Sequence, residues 1–134
     1  MERITTALRL KPDDVSAHSN LGNVYAMIGR PADAVAEYRR ALALRPDDAY
    51  VCNNLGNVLA EQGDLPGAIA QYEKAVRLEP VNPEAHANLG VALAKLGRRN
   101  EAIRQLQTAL QQRPDYPQAQ SLLQTLTAPP PNGK

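Results

Sequence analysis

The stretch Asn-Leu-Gly-Asn-Val at residues 20–24 occurs again at 54–58, and a close variant, Asn-Leu-Gly-Val, occupies residues 88–91. The spacing is 34 residues in both cases. A period of this size, kept this strictly, is typical of stacked helical hairpins. The chain is therefore predicted to be an array of similar helical units.

Further residue types return with the same period of 34. Glycine in such a position ends a helix, and proline shortly after a helix prevents it from continuing. Each unit is thus predicted to hold a first helix (A) and a second helix (B). The repeating residues are the glycines at 29, 63 and 97, the prolines at 12, 46, 80 and 114, and the alanines at 34, 68 and 102.

Composition limits the classes of partner and compartment. The chain has 134 residues, of which 43% are hydrophobic, and it lacks Phe and Trp, which favours closely packed helices. Its net charge is +1, so we expect no binding to nucleic acid or to an anionic membrane. No apolar run approaches the ~20 residues that cross a bilayer. The one cysteine, Cys52, cannot form an internal disulfide, and a cytoplasmic location is the default expectation.

Three full repeats are predicted at residues 15–48, 49–82 and 83–116. Their A helices should cover about 15–28, 49–62 and 83–96, and their B helices about 32–44, 65–78 and 99–112. Asp14, Asp48 and Asn82 precede the A helices and can accept hydrogen bonds from free amides there. The apolar stripe of the first A helix is predicted to be Ala17, Leu21, Val24 or Tyr25, and Ile28.

Gly22, Gly56 and Gly90 lie in the middle of the A helices, where glycine costs about 1 kcal/mol relative to alanine. A cost that recurs in every repeat needs a cause. We expect close approach of the B helix, opposite the alanines at 34, 68 and 102.

The ends of the chain depart from the full repeat. Residues 1–11 resemble helix B of a truncated repeat, with Ile4, Ala7 and Leu8 on one face, so the chain is expected to begin inside a longer array. Residues 117–127 carry Gln124 in place of the helical glycine and are predicted to form a capping helix. The Pro-rich tail, 128–134, has linker composition.

The pattern Leu21-Gly22, Tyr25, Ala34, Tyr38, Ala41 and Pro46 resembles the tetratricopeptide repeat. Departures are mild, since His18, Cys52 and His86 occupy the usual tryptophan position. The resemblance implies an all-α fold, a right-handed α-solenoid of antiparallel helix pairs with a half repeat before it and a capping helix after it. It also implies that the A helices line a concave groove that binds peptide segments of partner proteins.

The resemblance also assigns groove residues. The row Asn20, Asn54, Asn88 is similar to the asparagine ladder in the superhelical arm of O-linked N-acetylglucosamine transferases, which grips polypeptide main chain. A carboxamide both donates and accepts, so it can bind main chain without reading side chains. Clamping of a C-terminal carboxylate is not expected, because Ser19, Glu84 and Asn88 replace the cations that would do it. The implied groove residues are Ser16, Ser19, Asn20, Asn23, Met27, Tyr50, Asn53, Asn54, Asn57, Glu61, Glu84, Ala87, Asn88, Val91 and Lys95.

Each of these assignments has a plainer alternative. The asparagine row could tie neighbouring A helices together instead of binding a partner. His18, Cys52 and His86 are metal-ligand types, but A helices roughly 8–10 Å apart cannot bring all three to ~2.0–2.3 Å from one zinc. Packing is expected there, as at the inward positions 38, 72 and 106. The pairs Arg39-Arg40 and Arg98-Arg99 are predicted to lie on a solvated convex face, with an acidic partner as the alternative.

No nucleophile–base set, phosphate loop or paired carboxylates appear, so no enzymatic activity, cofactor or metal is predicted. The leading hypothesis is a protein–protein interaction module that binds an extended peptide. One alternative is an assembly scaffold that self-associates through the incomplete N-terminal repeat. Another is a substrate-recruiting arm of a larger glycosyltransferase.

Overall fold

The computed structural model describes residues 14–129, and within that range the chain forms seven helices and no strand. Each helix predicted within this range is present, and the observed ends lie within a residue or so of the predicted ones. The proposed helix at 1–11 and most of the Pro-rich tail lie outside the described residues. The helices are α1 (Val15–Met27), α2 (Pro31–Leu44), α3 (Ala49–Glu61), α4 (Leu65–Leu78), α5 (Pro83–Lys95), α6 (Arg99–Gln112) and α7 (Pro117–Thr127).

The helices stack as hairpins. The most extensive packing joins α1 to α2, α3 to α4 and α5 to α6, and each hairpin then packs against the next helix along the chain. The A helices α1, α3 and α5 touch one another only lightly. This is the all-α solenoid, in which each repeat contacts only its neighbours. None of the described helices is both long and apolar enough to span a bilayer.

Local signals at the helix starts explain these bounds. The Asp14 and Asp48 carboxylates accept hydrogen bonds from the backbone N–H groups of Ala17 (3.1 Å) and Val51 (3.2 Å). The Asn82 carboxamide oxygen accepts from the N–H of Ala85 at 3.1 Å. Each cap satisfies one of the amides that a helix leaves without a partner in its first turn, as the sequence predicted.

Glycine ends every A helix. Gly29, Gly63 and Gly97 have φ values of 78°, 87° and 87°, a left-handed backbone that residues with a Cβ atom rarely adopt. The turn brings the N–H of Arg30 back to the carbonyl oxygen of Tyr25 at 2.8 Å. The chain can therefore reverse within a few residues and start the B helix.

The interior is mostly Leu and Ala, with a few Val, Ile and Cys side chains and two tyrosines. Leu21, Leu55 and Leu89 are buried at equivalent positions of the three A helices. The predicted core position Ile28 is wrong, because its side chain is 51% exposed. Ile28 is the C-cap of α1, so its backbone has left the helix and its side chain no longer follows the apolar stripe.

The mid-helix glycines face a close B helix, as predicted, but the nearest atoms belong to a different residue. Over Gly90 the predicted alanine also comes close, with the Ala102 carbonyl oxygen 3.3 Å from the position of an added Cβ atom. A Cβ atom on Gly22 would lie 2.6 Å from Cε1 of Tyr38, and one on Gly56 would lie 2.7 Å from Cε1 of Tyr72. A Cβ atom on Gly90 would lie 2.8 Å from Cγ of Leu106. The alanines at 34, 68 and 102 are fully buried nearby, but the side chain four residues later fills the space over each glycine.

Candidate functional site

The A helices line a groove that runs along one side of the described residues. It has three sections, and Asn57 borders all of them, so the groove is continuous. The α1–α3 section is lined by Asn23, Ala26, Met27, Tyr38, Tyr50, Asn54, Asn57, Val58 and Glu61. The lysine section is lined by Asn57, Ala60, Glu61, Leu65, Tyr72, Asn88, Val91, Ala92, Lys95 and Gln118. The glutamate section is lined by Tyr50, Asn53, Asn54, Asn57, Glu79, Asn82, Glu84, Asn88, Tyr116 and Gln118.

The structure places the residues of the predicted peptide-binding groove along these sections, with four exceptions. Ser16, Ser19, Asn20 and Ala87 line none of the three. Ser19 is only 7% exposed, and its hydroxyl donates to the carbonyl oxygen of Ser16 at 3.1 Å within α1. Asn20 is exposed but borders none of the three sections. Its counterparts Asn54 and Asn88 each face a preceding A helix, whereas α1 has no A helix before it among the described residues.

The asparagine row makes contacts between helices. Asn54 Nδ2 donates to Asn23 Oδ1 at 3.3 Å, which ties α3 to α1. Asn88 Nδ2 donates to Asn53 Oδ1 at 3.1 Å, which ties α5 to α3. The structural interpretation of the row is thus correct for these two bonds. Among residues 14–129, no other residue engages the second N–H or the oxygen of either donor.

A second set of polar contacts joins each of the first two A helices to its B helix. The Tyr38 hydroxyl donates to Asn23 Oδ1 at 2.5 Å, and the Tyr72 hydroxyl donates to Asn57 Oδ1 at the same distance. Asn23 Nδ2 also donates to the Tyr50 hydroxyl at 3.1 Å. Asn23 therefore uses its oxygen and its amide within the protein and supports other groove residues.

Burial changes the acidity of both inner tyrosines. Desolvation, with smaller contributions from Tyr50 and Glu61, raises the pKa of Tyr38 from 10.0 to about 12. Desolvation and Glu61 likewise raise the pKa of Tyr72. Both hydroxyls stay protonated at neutral pH and remain donors to their asparagine oxygens.

The third repeat replaces this polar pair by an apolar one. Val91 stands at the position of Asn23 and Asn57, and Leu106 stands at the position of Tyr38 and Tyr72. The two exchanges occur together, so no hydroxyl or carboxamide loses its partner. Val91 therefore lines the lysine section with an apolar side chain, at the position where the first two repeats have an asparagine.

The residues weighed as metal ligands are packing residues. His18 Nδ1 lies 2.8 Å from Glu37 Oε1, and Cys52 is fully buried. His86 Nδ1 lies 2.8 Å from the carboxamide of Gln105, and Nε2 donates to the Pro80 carbonyl oxygen at 2.8 Å. No group of three potential metal ligands occurs among residues 14–129.

The predicted solvated arginines also make specific contacts. Arg40 pairs with Glu37, and Arg98 pairs with Glu101 at 2.6 Å. Arg99 Nε donates to the Leu126 carbonyl oxygen at 2.7 Å, so it binds the last turn of the capping helix α7. This third contact corrects the purely solvated interpretation of Arg99.

In the glutamate section, four lining residues were not predicted as groove residues: Glu79, Asn82, Tyr116 and Gln118. Gln118 occupies the position equivalent to Tyr50 and Glu84, so the period of 34 residues could have identified it. Glu79 and Asn82 lie between α4 and α5, and Tyr116 lies just before α7. Loop residues of this kind have no helical spacing that would reveal which way they point.

Family models match most of the chain. The TPR repeat model matches residues 28–63 and 56–97, and two tetratricopeptide repeat models match 15–40 and 83–116. The chain belongs to the tetratricopeptide repeat family. Its all-α solenoid fold follows directly, and as a member of this family the chain is a protein–protein interaction module. A comparison with curated protein sequences finds no match.

Solved structures agree with the fold. MamA is 23% identical, with a TM-score of 0.88 over 92% of this chain and 72% of that one. The first TPR of Spaghetti (RPAP3), bound to the HSP90 peptide SRMEEVD, is 19% identical, with a TM-score of 0.83 over 84% of this chain and 90% of that one. YrrB, described as a TPR protein with an unusual peptide-binding site, is 26% identical, with a TM-score of 0.83 over 90% of this chain and 62% of that one.

Proposed function

We propose that the groove binds an extended segment of a partner protein, and that Asn54 and Asn88 hold its main chain. The proposal rests on two groups of each carboxamide, one N–H and the oxygen, that form no hydrogen bond with residues 14–129. Both side chains border the groove, and each spends one N–H on the neighbouring helix. The remaining N–H and oxygen match the carbonyl and amide of a peptide backbone.

The spacing of the repeats suits an extended ligand. Packed helices lie roughly 8–10 Å apart, and an extended chain advances about 3.3 Å per residue. Successive asparagines would therefore meet the backbone about every third residue. Because main-chain contacts do not read side chains, binding should tolerate many sequences and be weak, on the order of micromolar.

Two relatives support a peptide ligand. The structure of the first TPR of Spaghetti (RPAP3) contains an HSP90 peptide, and YrrB is described by its peptide-binding site. Both are similar to this chain in fold. The prediction of a peptide ligand for this groove rests on that likeness together with the two carboxamides.

The test uses linear peptides selected from a phage-displayed library against the wild-type chain, with affinities measured by calorimetry. We expect the double variant N54A/N88A to lose binding at least tenfold, because both main-chain contacts disappear. The matched control is N20A, which removes the equivalent carboxamide outside the three groove sections and should bind as the wild type does.

The double variant also removes two bonds between helices, so its melting must be followed by circular dichroism at the assay temperature. A folded N54A/N88A variant that binds with wild-type affinity would contradict the proposal. Equal losses in N20A and the double variant would also contradict it, because binding would then not depend on the groove.

A further inference from the structure

The glutamate section of the groove is negatively charged. Glu79 and Glu84 border it, and none of its other lining residues is a lysine, arginine or histidine. Glu79 Oε1 accepts from Asn82 Nδ2 at 3.2 Å, which holds the carboxylate at the groove, and its second oxygen has no hydrogen-bond donor among the described residues. The Glu84 side chain is 64% exposed.

Two tyrosines form the walls of the same section. Tyr50 is 58% exposed, although the amide of Asn23 fixes its hydroxyl at 3.1 Å. Tyr116 borders the section from the start of α7. An aromatic face beside carboxylates favours a flat cation, because the ring attracts the charge and the carboxylate accepts its N–H groups.

One arginine of the chain already makes contacts of this kind at the edge of the glutamate section. The Arg113 guanidinium lies 4.9 Å from the centre of the Tyr116 ring, and its Nη2 lies 3.7 Å from Glu84 Oε1. That second distance is too long for a hydrogen bond, and both side chains are about half exposed. Arg113 therefore binds loosely and can give way to another cation.

We infer that the glutamate section receives an arginine or lysine side chain of the bound segment, between Tyr50 and the carboxylates of Glu79 and Glu84. The inference rests on the proposed function, since it names the kind of segment that the same groove prefers. With a volume of about 480 Å³, the section has room for one such side chain beside the backbone. The preferred partner is a basic extended segment.

The test compares two capped alanine–serine peptides that differ at one central residue, arginine or its neutral isostere citrulline. Binding is followed by ¹⁵N-HSQC titration, which detects weak complexes. In the wild type we expect the arginine peptide to bind about fivefold more tightly, from partly exposed charge pairs and one cation–π contact. The preference should weaken as salt is added.

Three variants locate the effect. E79Q/E84Q should abolish the preference, while E101Q, which removes a carboxylate from α6 outside the three groove sections, should keep it. R113Q should increase the preference by about twofold, because it removes the competing internal cation. A purely structural role of Glu84 with Arg113 would instead lower binding in R113Q.

The outcomes separate the two ideas. Equal binding of the arginine and citrulline peptides, with both lost in N54A/N88A, would overturn the cationic preference and leave the groove assignment intact. A preference that survives in E79Q/E84Q would overturn it as well. Absence of binding by both peptides would overturn this inference together with the proposed function.

Discussion

The contact between helix A and helix B uses polar side chains in the first two repeats and apolar side chains in the third. In α1–α2 and α3–α4, a tyrosine ring covers the helical glycine, and the hydroxyl of that tyrosine donates to an asparagine of helix A. In α5–α6, Leu106 covers Gly90, and Val91 stands where the asparagine would be. The fold is the same in each case because both partners of the pair change together.

The comparison separates two roles among the groove asparagines. Asn23 and Asn57 accept hydrogen bonds from buried tyrosines, so their first role is to hold the helix pair. Asn54 and Asn88 recur whether the neighbouring pair is asparagine with tyrosine or valine with leucine, and each keeps an N–H and an oxygen that the part of the chain from 14 to 129 leaves unengaged. A residue type that repeats independently of its packing partner is the better candidate for binding.

The largest expected effect comes from filling the space over the glycines. In G56A the new methyl group meets the rigid ring of buried Tyr72, and overpacking of this kind costs about 1–3 kcal/mol, less about 1 kcal/mol gained in helix propensity. In G90A the neighbour is Leu106, whose side chain can change rotamer. Urea unfolding should show G56A to be the less stable variant. Equal stabilities of G56A and G90A would contradict the proposed difference between the tyrosine and leucine contacts.

A smaller effect is expected from the tyrosine hydroxyls. Within residues 14–129, Tyr72 is the one donor to Asn57 Oδ1, so Y72F should cost about 1 kcal/mol. Y38F should cost less, because Asn23 Oδ1 still accepts from Asn54. A double-mutant cycle of Y72F with N57V, a pair that imitates the third repeat, measures the coupling by urea unfolding. A coupling energy near zero would show that the hydroxyl contributes nothing to the pair.

A further effect is expected at high pH. The folded pKa of Tyr38, about 12, exceeds its unfolded value of 10.0, so the folded state holds the proton more tightly. Its contribution to stability is complete below pH 10 and is lost as the pH rises toward 12. The melting temperature should therefore fall less steeply in Y38F than in the wild type over that window. Parallel curves for the two proteins would contradict the assignment.

Local patterns were enough to predict the fold. Caps such as Asp48 and stops such as Gly63 depend on backbone rules that operate within a few residues, so the helix ends could be located. Ile28 was misassigned because the helical stripe was extended past the last turn. The partner of each glycine was missed because it depends on which B-helix side chain turns inward.

The site was less predictable because its contacts cross between repeats. Equivalent residues Asn54 and Asn88 donate to different positions, Asn23 and Asn53, and periodicity alone treats them alike. The joint change from asparagine and tyrosine to Val91 and Leu106 was visible in the sequence and could have indicated the paired contacts. The charge of the glutamate section depends on Glu79, whose direction only the structure gives.

The most direct test of the account observes the side-chain NH₂ signals of Asn54 and Asn88 while a selected linear peptide is added to the wild-type chain. We predict that these signals shift progressively and saturate with the same affinity as the backbone signals of α3 and α5, while the NH₂ signal of Asn20 stays in place. Saturating shifts confined to α2, α4 and α6, with both asparagines unchanged, would contradict it.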